Sequence, residues 1–344
     1  MSITVRLDRF QRRHPAIGFP LAVIYKFFDD QGTYLAALIA YYGFVSLFPL
    51  LLLMVTILGY ALSDNPDLQQ RIVDSALAQF PVIGDQIGEN VASLQGNLTA
   101  LIVGIAGSLY GAMGVANAAQ NAMNRVWGVA RARRPNPFLA RGRSILILLL
   151  LLAGVAASAL TTWLFALVSF GSSEAALVEY WLSLLGGAAI TAGLFVVAFQ
   201  ILTARPLAVR DVWIGAVLAA VVWHGLLIGG TYYVGRVVNG STATYGVFST
   251  VLGLIAWIFL VAVVVVLSAE VNVVRAKHLW PRSLLTPFTD AVQLTRGDRR
   301  AYASYPGIEL HKGFQTVDVG FDQPDPDEAP GSGTGSERDG SERS

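Results

Sequence analysis

Long apolar runs, each closed by a short polar or charged stretch, dominate the pattern of this chain. A helix crossing a bilayer needs about 20 apolar residues. Six runs fit that requirement: Tyr34–Leu62, Leu98–Val115, Ser144–Phe170, Trp181–Ala204, Val212–Gly235 and Val247–Val274. The second leaves the bilayer near Val115 and can continue as helix to Trp127. Lipid offers backbone groups no partners, so each run must be helical. Unbroken Leu, Ala and Gly also lack the alternation of a barrel strand. The expected fold class is all-α: a polytopic six-transmembrane-helix bundle with short amphipathic interfacial helices.

Weaker patterns fill the remainder. Within residues 1–33, Ile17, Leu21, Ile24/Tyr25 and Phe28 recur at helical spacing beside Lys26, Asp29 and Asp30. This reads either as an amphipathic helix on the membrane surface or as a helix packed on the loops of the bundle. In loop 63–97, Leu68, Ile72, Val73, Ala76, Leu77 and Phe80 share one helical face. Ile83, Ile87, Val91 and Leu94 share another after Pro81. Two short amphipathic helices fit that periodicity. Residues 275–319 form a juxtamembrane segment, and 320–344 are Gly/Ser/Pro/Asp/Glu-rich, the composition of a disordered tail.

Charge sets the orientation. The N-terminal segment and loops 116–143, 205–211 and 275–300 carry five, six, two and six Lys plus Arg. Loops 63–97, 171–180 and 236–246 carry one, none and one. The excess marks the cytoplasmic side, so both termini are expected inside. The apolar run after the N-terminal arginines is a full span without a small-residue cleavage site, so no signal peptide is read.

Composition narrows the function classes. Of 344 residues, 54% are hydrophobic and 14% charged, against about 25% charged in soluble chains. Net charge is +1, so no global basic field calls for nucleic acid. There is no cysteine, and the four histidines lie far apart. No metal site and no cofactor are therefore expected.

Several polar or small residues stand out within the spans. Pro49 removes a backbone donor and crowds the carbonyl of Val45, so a kink is expected there, either a hinge or a static bend. Ser46 is placed to serve the freed group. Gly104, Gly107, Gly111 and Gly114 form a small-residue face suited to close helix packing. Asn117, Gln120/Asn121 and Asn124 form a polar stripe at the cytoplasmic end of the same helix, either solvated or lining a cavity. His224 lies ~18 Å along the fifth span at 1.5 Å per residue, close to the midplane. It is either a relay or a neutral interhelical hydrogen-bond partner. Gln200, near the cytoplasmic end of the fourth span, reads as interhelical glue, with a substrate or cavity contact as the alternative.

Glu270 is the carboxylate singled out inside a span, and a charge costs about 2.5–3.5 kcal/mol at a helix centre. It should face inward and find a partner. Counting from the outer face at 1.5 Å per residue, Glu270 lies ~34 Å along its helix and Arg125 ~40 Å along the second. Matching depth makes Arg125 the expected partner, as a structural salt bridge or part of a coupling or substrate site.

Three blocks carry a family resemblance. AALIAYYGFVSLFPLLLLMVTILGY (Ala36–Tyr60) resembles the first-span signature of the YihY/BrkB family of inner-membrane proteins. NAMNRVWGVARARRPNPFLARGRSIL (Asn121–Leu146) agrees. So does the stretch from VWIGAVLAAVVWHGL (Val212–Leu226) through TYGVFSTVLGLIAWIFLVAVVVVLSAEVN (Thr244–Asn272). The chain departs from the pattern at Ser268, where the family often has Gly, and at Ala256-Trp257-Ile258-Phe259, where it often has Leu-Trp-Leu-Tyr. The resemblance implies six spans and a bacterial plasma membrane. It also brings two old labels, ribonuclease BN and virulence factor, without an agreed molecular activity.

A ribonuclease needs clustered carboxylates and histidines or an acid–base pair, and the sequence offers neither. An enzyme is therefore not expected. The favoured reading is a transporter or translocase of a lipid or other amphipathic envelope substrate. Arg131, Arg133, Arg134, Arg141 and Arg143 would meet anionic headgroups. The competing reading is a non-transporting component that organises envelope partners. Membrane lipids are the expected partners, nucleic acid is not, and self-association is left open.

Overall fold

The computed structural model describes residues 3–61, 98–167, 173–233, 247–290 and 292–322. Among these there is no strand. Two short helices, α1 (Ile3–Arg13) and α2 (Pro15–Asp29), lead into α3 (Gly32–Ala61). Then follow α4 (Leu98–Val126), α5 (Pro137–Leu167), α6 (Ser173–Leu202), α7 (Val209–Tyr233), α8 (Val247–Ala276) and α9 (Arg296–Ile308). The six apolar runs of the sequence fall on α3 to α8. Across the described residues, Leu184–Leu202, Val209–Gly230 and Val251–Ala276 are long and apolar enough to cross a membrane. The proposed amphipathic pair in loop 63–97 and the tail beyond residue 322 lie outside the described residues.

Glycine sets how closely the long helices approach. A side chain on Gly111 would collide with Ser46 of α3, and one on Gly114 with the Tyr42 ring. This part of the small-residue face is therefore the α3–α4 seam. Gly43 on another face of α3 meets Ile258 of α8. Gly215 of α7 lies against the Ser268 carbonyl and the Asn272 amide of α8. Its N–H also donates to Asn272 Oδ1 at 2.7 Å. The helix α3 runs unbroken through Pro49. Ser46 Oγ donates to the Gly43 carbonyl at 2.9 Å, not to the Val45 carbonyl expected from the proline's position.

The described core gathers at one end, where α3, α5 and α7 begin and α4, α6 and α8 end; we call it the base. Ala36, Met123, Val126, Phe199, Val212, Ala216, Val266, Ala269 and Val273 pack together there. The helix α2 joins this core with two faces. Ala22, Val23, Lys26 and Phe27 are buried, while Ile17, Ile24 and Phe28 are exposed. The exposed stripe continues along α3 as Tyr34, Leu38, Tyr41 and Val45. The helix α2 is packed on the bundle: its polar residue Lys26 points into the protein and its apolar outer face points away.

The segment after α8 folds back beneath the base. Arg282 is buried between Asp298 and Asp29, with Nε 3.0 Å from Asp298 Oδ1 and a terminal nitrogen 2.6 Å from Asp29 Oδ2. Asp298 also receives the backbone N–H groups of Ser283 and Thr295, the latter closing a capping box at the start of α9. Tyr305 donates to Asp29 at 2.8 Å. Gln11 of α1 donates to the Arg282 carbonyl at 2.6 Å. These bonds tie both terminal segments to α2.

Candidate functional site: a buried charge cluster at the base

At the centre of the base, α2, α4 and α8 meet around three ionisable side chains. Lys26 is 2% exposed, Asp30 1% and Glu270 0%. Lys26 Nζ donates to Asp30 Oδ2, one helical turn on. It also donates to the Val126 carbonyl at the end of α4, at 3.3 Å. The same nitrogen is 3.6 Å from Glu270 Oε2. The Tyr305 ring of α9 lies 5.6 Å from it. Neither oxygen of Glu270 has a hydrogen-bond partner among the described residues. Two carboxyls thus converge on one buried ammonium.

The electrostatics follow from burial and proximity. Burial works to lower the Lys26 pKa, but Glu270 and Asp30 outweigh it and the net shift is upward. The Asp30 carboxyl is raised, because burial exceeds the pull of Lys26. Lys277, just past α8, donates to the Trp127 carbonyl at 2.7 Å. Its pKa is pushed down to about 8 by burial and by the charge of Lys26.

Arg125 is not the partner of Glu270, contrary to the depth argument. Its Nε donates to the Asp30 backbone carbonyl at 3.0 Å, and its terminal nitrogen lies 3.5 Å from Glu309. The reason is azimuth. Depth along two helices matched, but α2 occupies the side of α8 that Glu270 faces and brings Lys26 there first. The missed signal was the spacing Ala22-x-x-x-Lys26-x-x-x-Asp30, one face carrying a small residue and then opposite charges.

The other singled-out residues disperse. Asn124 is buried, and its Oδ1 receives the Ala204 N–H at 2.7 Å, pinning the end of α6 to α4. Asn121 is exposed and accepts from Arg134 at 2.6 Å, while Asn117 is exposed. Gln120, between them, binds the Ala140 carbonyl and the Ser144 hydroxyl of α5. The polar stripe is therefore split between helix-to-helix bonds and the surface. Gln200 donates to the Leu207 carbonyl across the turn into α7. His224 holds the Ala220 carbonyl of its own helix through Nδ1 at 2.9 Å, and its Nε2 faces Gly187 of α6. Gly104 is buried and Gly107 partly so.

In the arginine loop, Arg134 and Arg143 are spent internally, on Asn121 and on the Thr203 carbonyl. Arg131 pairs with Glu309 at 2.9 Å and is half exposed. Arg133 and Arg141 are exposed. Among the described residues, no group of three or more His, Asp or Glu is placed to hold a metal.

A helical bundle with apolar spanning helices and a charge cluster sealed at one end defines a polytopic membrane protein. The family described as virulence factor BrkB matches residues 23–287, and the chain belongs to that family. It is 26% identical over 272 residues to a UPF0761 membrane protein of Alkalilimnicola ehrlichii, covering 76% of this chain and 59% of that one. A UPF0761 membrane protein of Legionella pneumophila is 23% identical over 263 residues, 74% of this chain and 61% of its own. The putative ribonuclease-like protein YfkH of Bacillus subtilis is 26% identical over 257 residues, 72% of this chain and 91% of that protein. The chain thus spans less than two thirds of the UPF0761 relatives' length. No solved structure matches it.

Proposed function

We propose that this chain is a six-span protein of the bacterial plasma membrane, with both termini in the cytoplasm, that moves a lipid or other amphipathic envelope substrate across the bilayer. Glu270 carries the reading. A carboxylate 0% exposed within an apolar spanning helix is expensive to keep and marks function by default. Its counter-charge comes from α2, a short helix that is not itself a span, so the polar floor of the base is closed by an element packed onto the ends of the spanning helices. Charge is concentrated at that end, while the outward faces of α2 and α3 are apolar. That division suits a substrate whose headgroup meets the base and whose chains stay in lipid. Arg131, Arg133 and Arg141 point outward at the same end and complement an anionic headgroup. The Lys plus Arg asymmetry of the loops supports a cytoplasmic base.

The test is reconstitution of the full chain into vesicles of phosphatidylethanolamine and phosphatidylglycerol carrying a fluorescent lipid. A membrane-impermeant quencher should then reach inner-leaflet probe that it cannot reach in empty vesicles. Identical quenching with and without protein overturns the translocase reading and leaves the organiser of envelope partners. That alternative is favoured by the exposed Phe314 and Val317 beyond α9.

A further inference from the structure

We propose that Asp30 and Glu270 together hold one exchangeable proton, and that this proton fastens α2 to the bundle. The inference concerns what the cluster binds, and it stands whether or not the chain moves lipid.

The geometry carries the argument. Asp30 and Glu270 both face Lys26 Nζ, so direct contacts set two carboxyls against one ammonium. Lys26 is already committed to Asp30 and to the Val126 carbonyl. Glu270, fully buried, makes no hydrogen bond through either oxygen among the described residues, and the Lys26 ammonium stands off at 3.6 Å. A buried carboxylate left without donors is far costlier than a protonated one. A proton on either acid supplies the missing donor, while Lys26 pairs with the other acid. Carboxyl pairs in close quarters share a proton for this reason.

The remaining charged groups around the cluster do not substitute for it. From α4, Arg125 is turned to the Asp30 backbone carbonyl and to Glu309. After α8, the Lys277 ammonium is held on the Trp127 carbonyl. From the α6–α7 turn, Arg205 lies over the Trp127 ring. On α2 itself, Asp29 is taken by Arg282 and Tyr305. From α9, Tyr305 presents its ring to Lys26. Each cation has its own acceptor or ring, and none is hydrogen-bonded to Glu270.

The sign of the pH effect follows. The Asp30 carboxyl is raised by burial despite Lys26. A carboxyl raised in the folded state contributes stability that is full below its ordinary range and is lost as pH rises through the raised value. Docking of α2 should therefore weaken as pH rises above the ordinary carboxylate range. Lys277, lowered to about 8 from 10.5, acts in the opposite sense, but only between those two values, so the comparison is made below them.

The experiment uses the purified full chain in lipid and reads infrared spectra and hydrogen exchange, neither of which needs a substrate. In the parent protein, the carbonyl stretch of a protonated buried carboxyl should be present in mildly acidic buffer and fade as pH rises. Exchange of the α2 amides, corrected for its intrinsic pH dependence, should accelerate over the same interval. Glu270→Gln imitates the protonated acid. It should fold, lose the carboxyl band and hold α2 with no pH dependence. If no such band titrates in the parent, the proposal is overturned, and that result does not depend on any variant folding. It is equally overturned if Glu270→Gln loosens α2 at every pH, because Glu270 is then only the counter-ion of Lys26. A response to added sodium or potassium in place of pH would also overturn it.

Discussion

At the scale of single residues, the base is organised by side chains that have no cheap substitute. Arg282 is the clearest. Its guanidinium serves Asp298 and Asp29 with two different nitrogens, and its plane lies over the Tyr302 ring at 5.1 Å. Lysine offers neither the fork nor the plane. Removing one partner of a buried pair leaves the other charge uncompensated, at about 3–5 kcal/mol. Arg282→Met should destabilise the protein by that order, read as a drop in melting temperature in detergent, and Arg282→Lys should recover only part of the loss. Full stability in Arg282→Met would show that Asp298 is content with its backbone donors alone. Such residues differ in how readable they were. Glu270 stood out because a lone carboxylate in an apolar run must turn inward. Its partner did not, because helix counting measures depth and says nothing of direction around the axis. Arg282 lay in a stretch without periodicity, and its importance comes from contacts with residues 253 positions away in sequence.

At the scale of elements, the long helices were legible and their seams only partly so. The apolar runs predicted α3 to α8 because length and hydropathy alone decide them. The short helix α2 was split between two readings because its periodicity is shared by surface-lying and bundle-packed helices. What settles it is Ala22 and Lys26 entering the core. The glycine face on α4 was read as a packing surface, and Gly111 and Gly114 do meet α3. A methyl group on Gly111 would already fall on the backbone and side chain of Ser46, so the helices must part to admit it. Gly111→Leu should cost about 1–3 kcal/mol or more from overpacking. Gly225 is the control: it sits inside α7 with nothing within 4 Å of a new Cβ. Gly225→Ala should therefore be neutral or stabilising, since alanine is the better helix former by about 1 kcal/mol. Equal melting of Gly111→Leu and the parent would remove the α3–α4 seam as a close contact.

At the scale of the whole molecule, one asymmetry organises the chain: the basic loops, the described polar core and both terminal segments share the base. If the positive-inside rule governs this chain, the base is cytoplasmic. The absence of cysteine from the 344 residues makes the test clean, because single cysteines can be added without first removing any. Asn136 lies in the link between α4 and α5 and is exposed, with its side chain accepting the Leu139 N–H. Arg210, at the start of α7, has a side chain 87% exposed. A failure of either to react in intact cells therefore cannot be ascribed to burial. Gln79 and Ser172 lie in two of the three connections expected on the opposite side. An impermeant thiol reagent applied to intact spheroplasts should modify Gln79→Cys and Ser172→Cys and spare Asn136→Cys and Arg210→Cys. Permeabilisation should then expose the latter pair. The reverse labelling would place the Lys26–Asp30–Glu270 cluster at the outer face, where the arginines could not meet the anionic inner leaflet. Modification of Asn136→Cys together with Gln79→Cys in intact spheroplasts would be incompatible with the single span expected between them, and so with the six-span count.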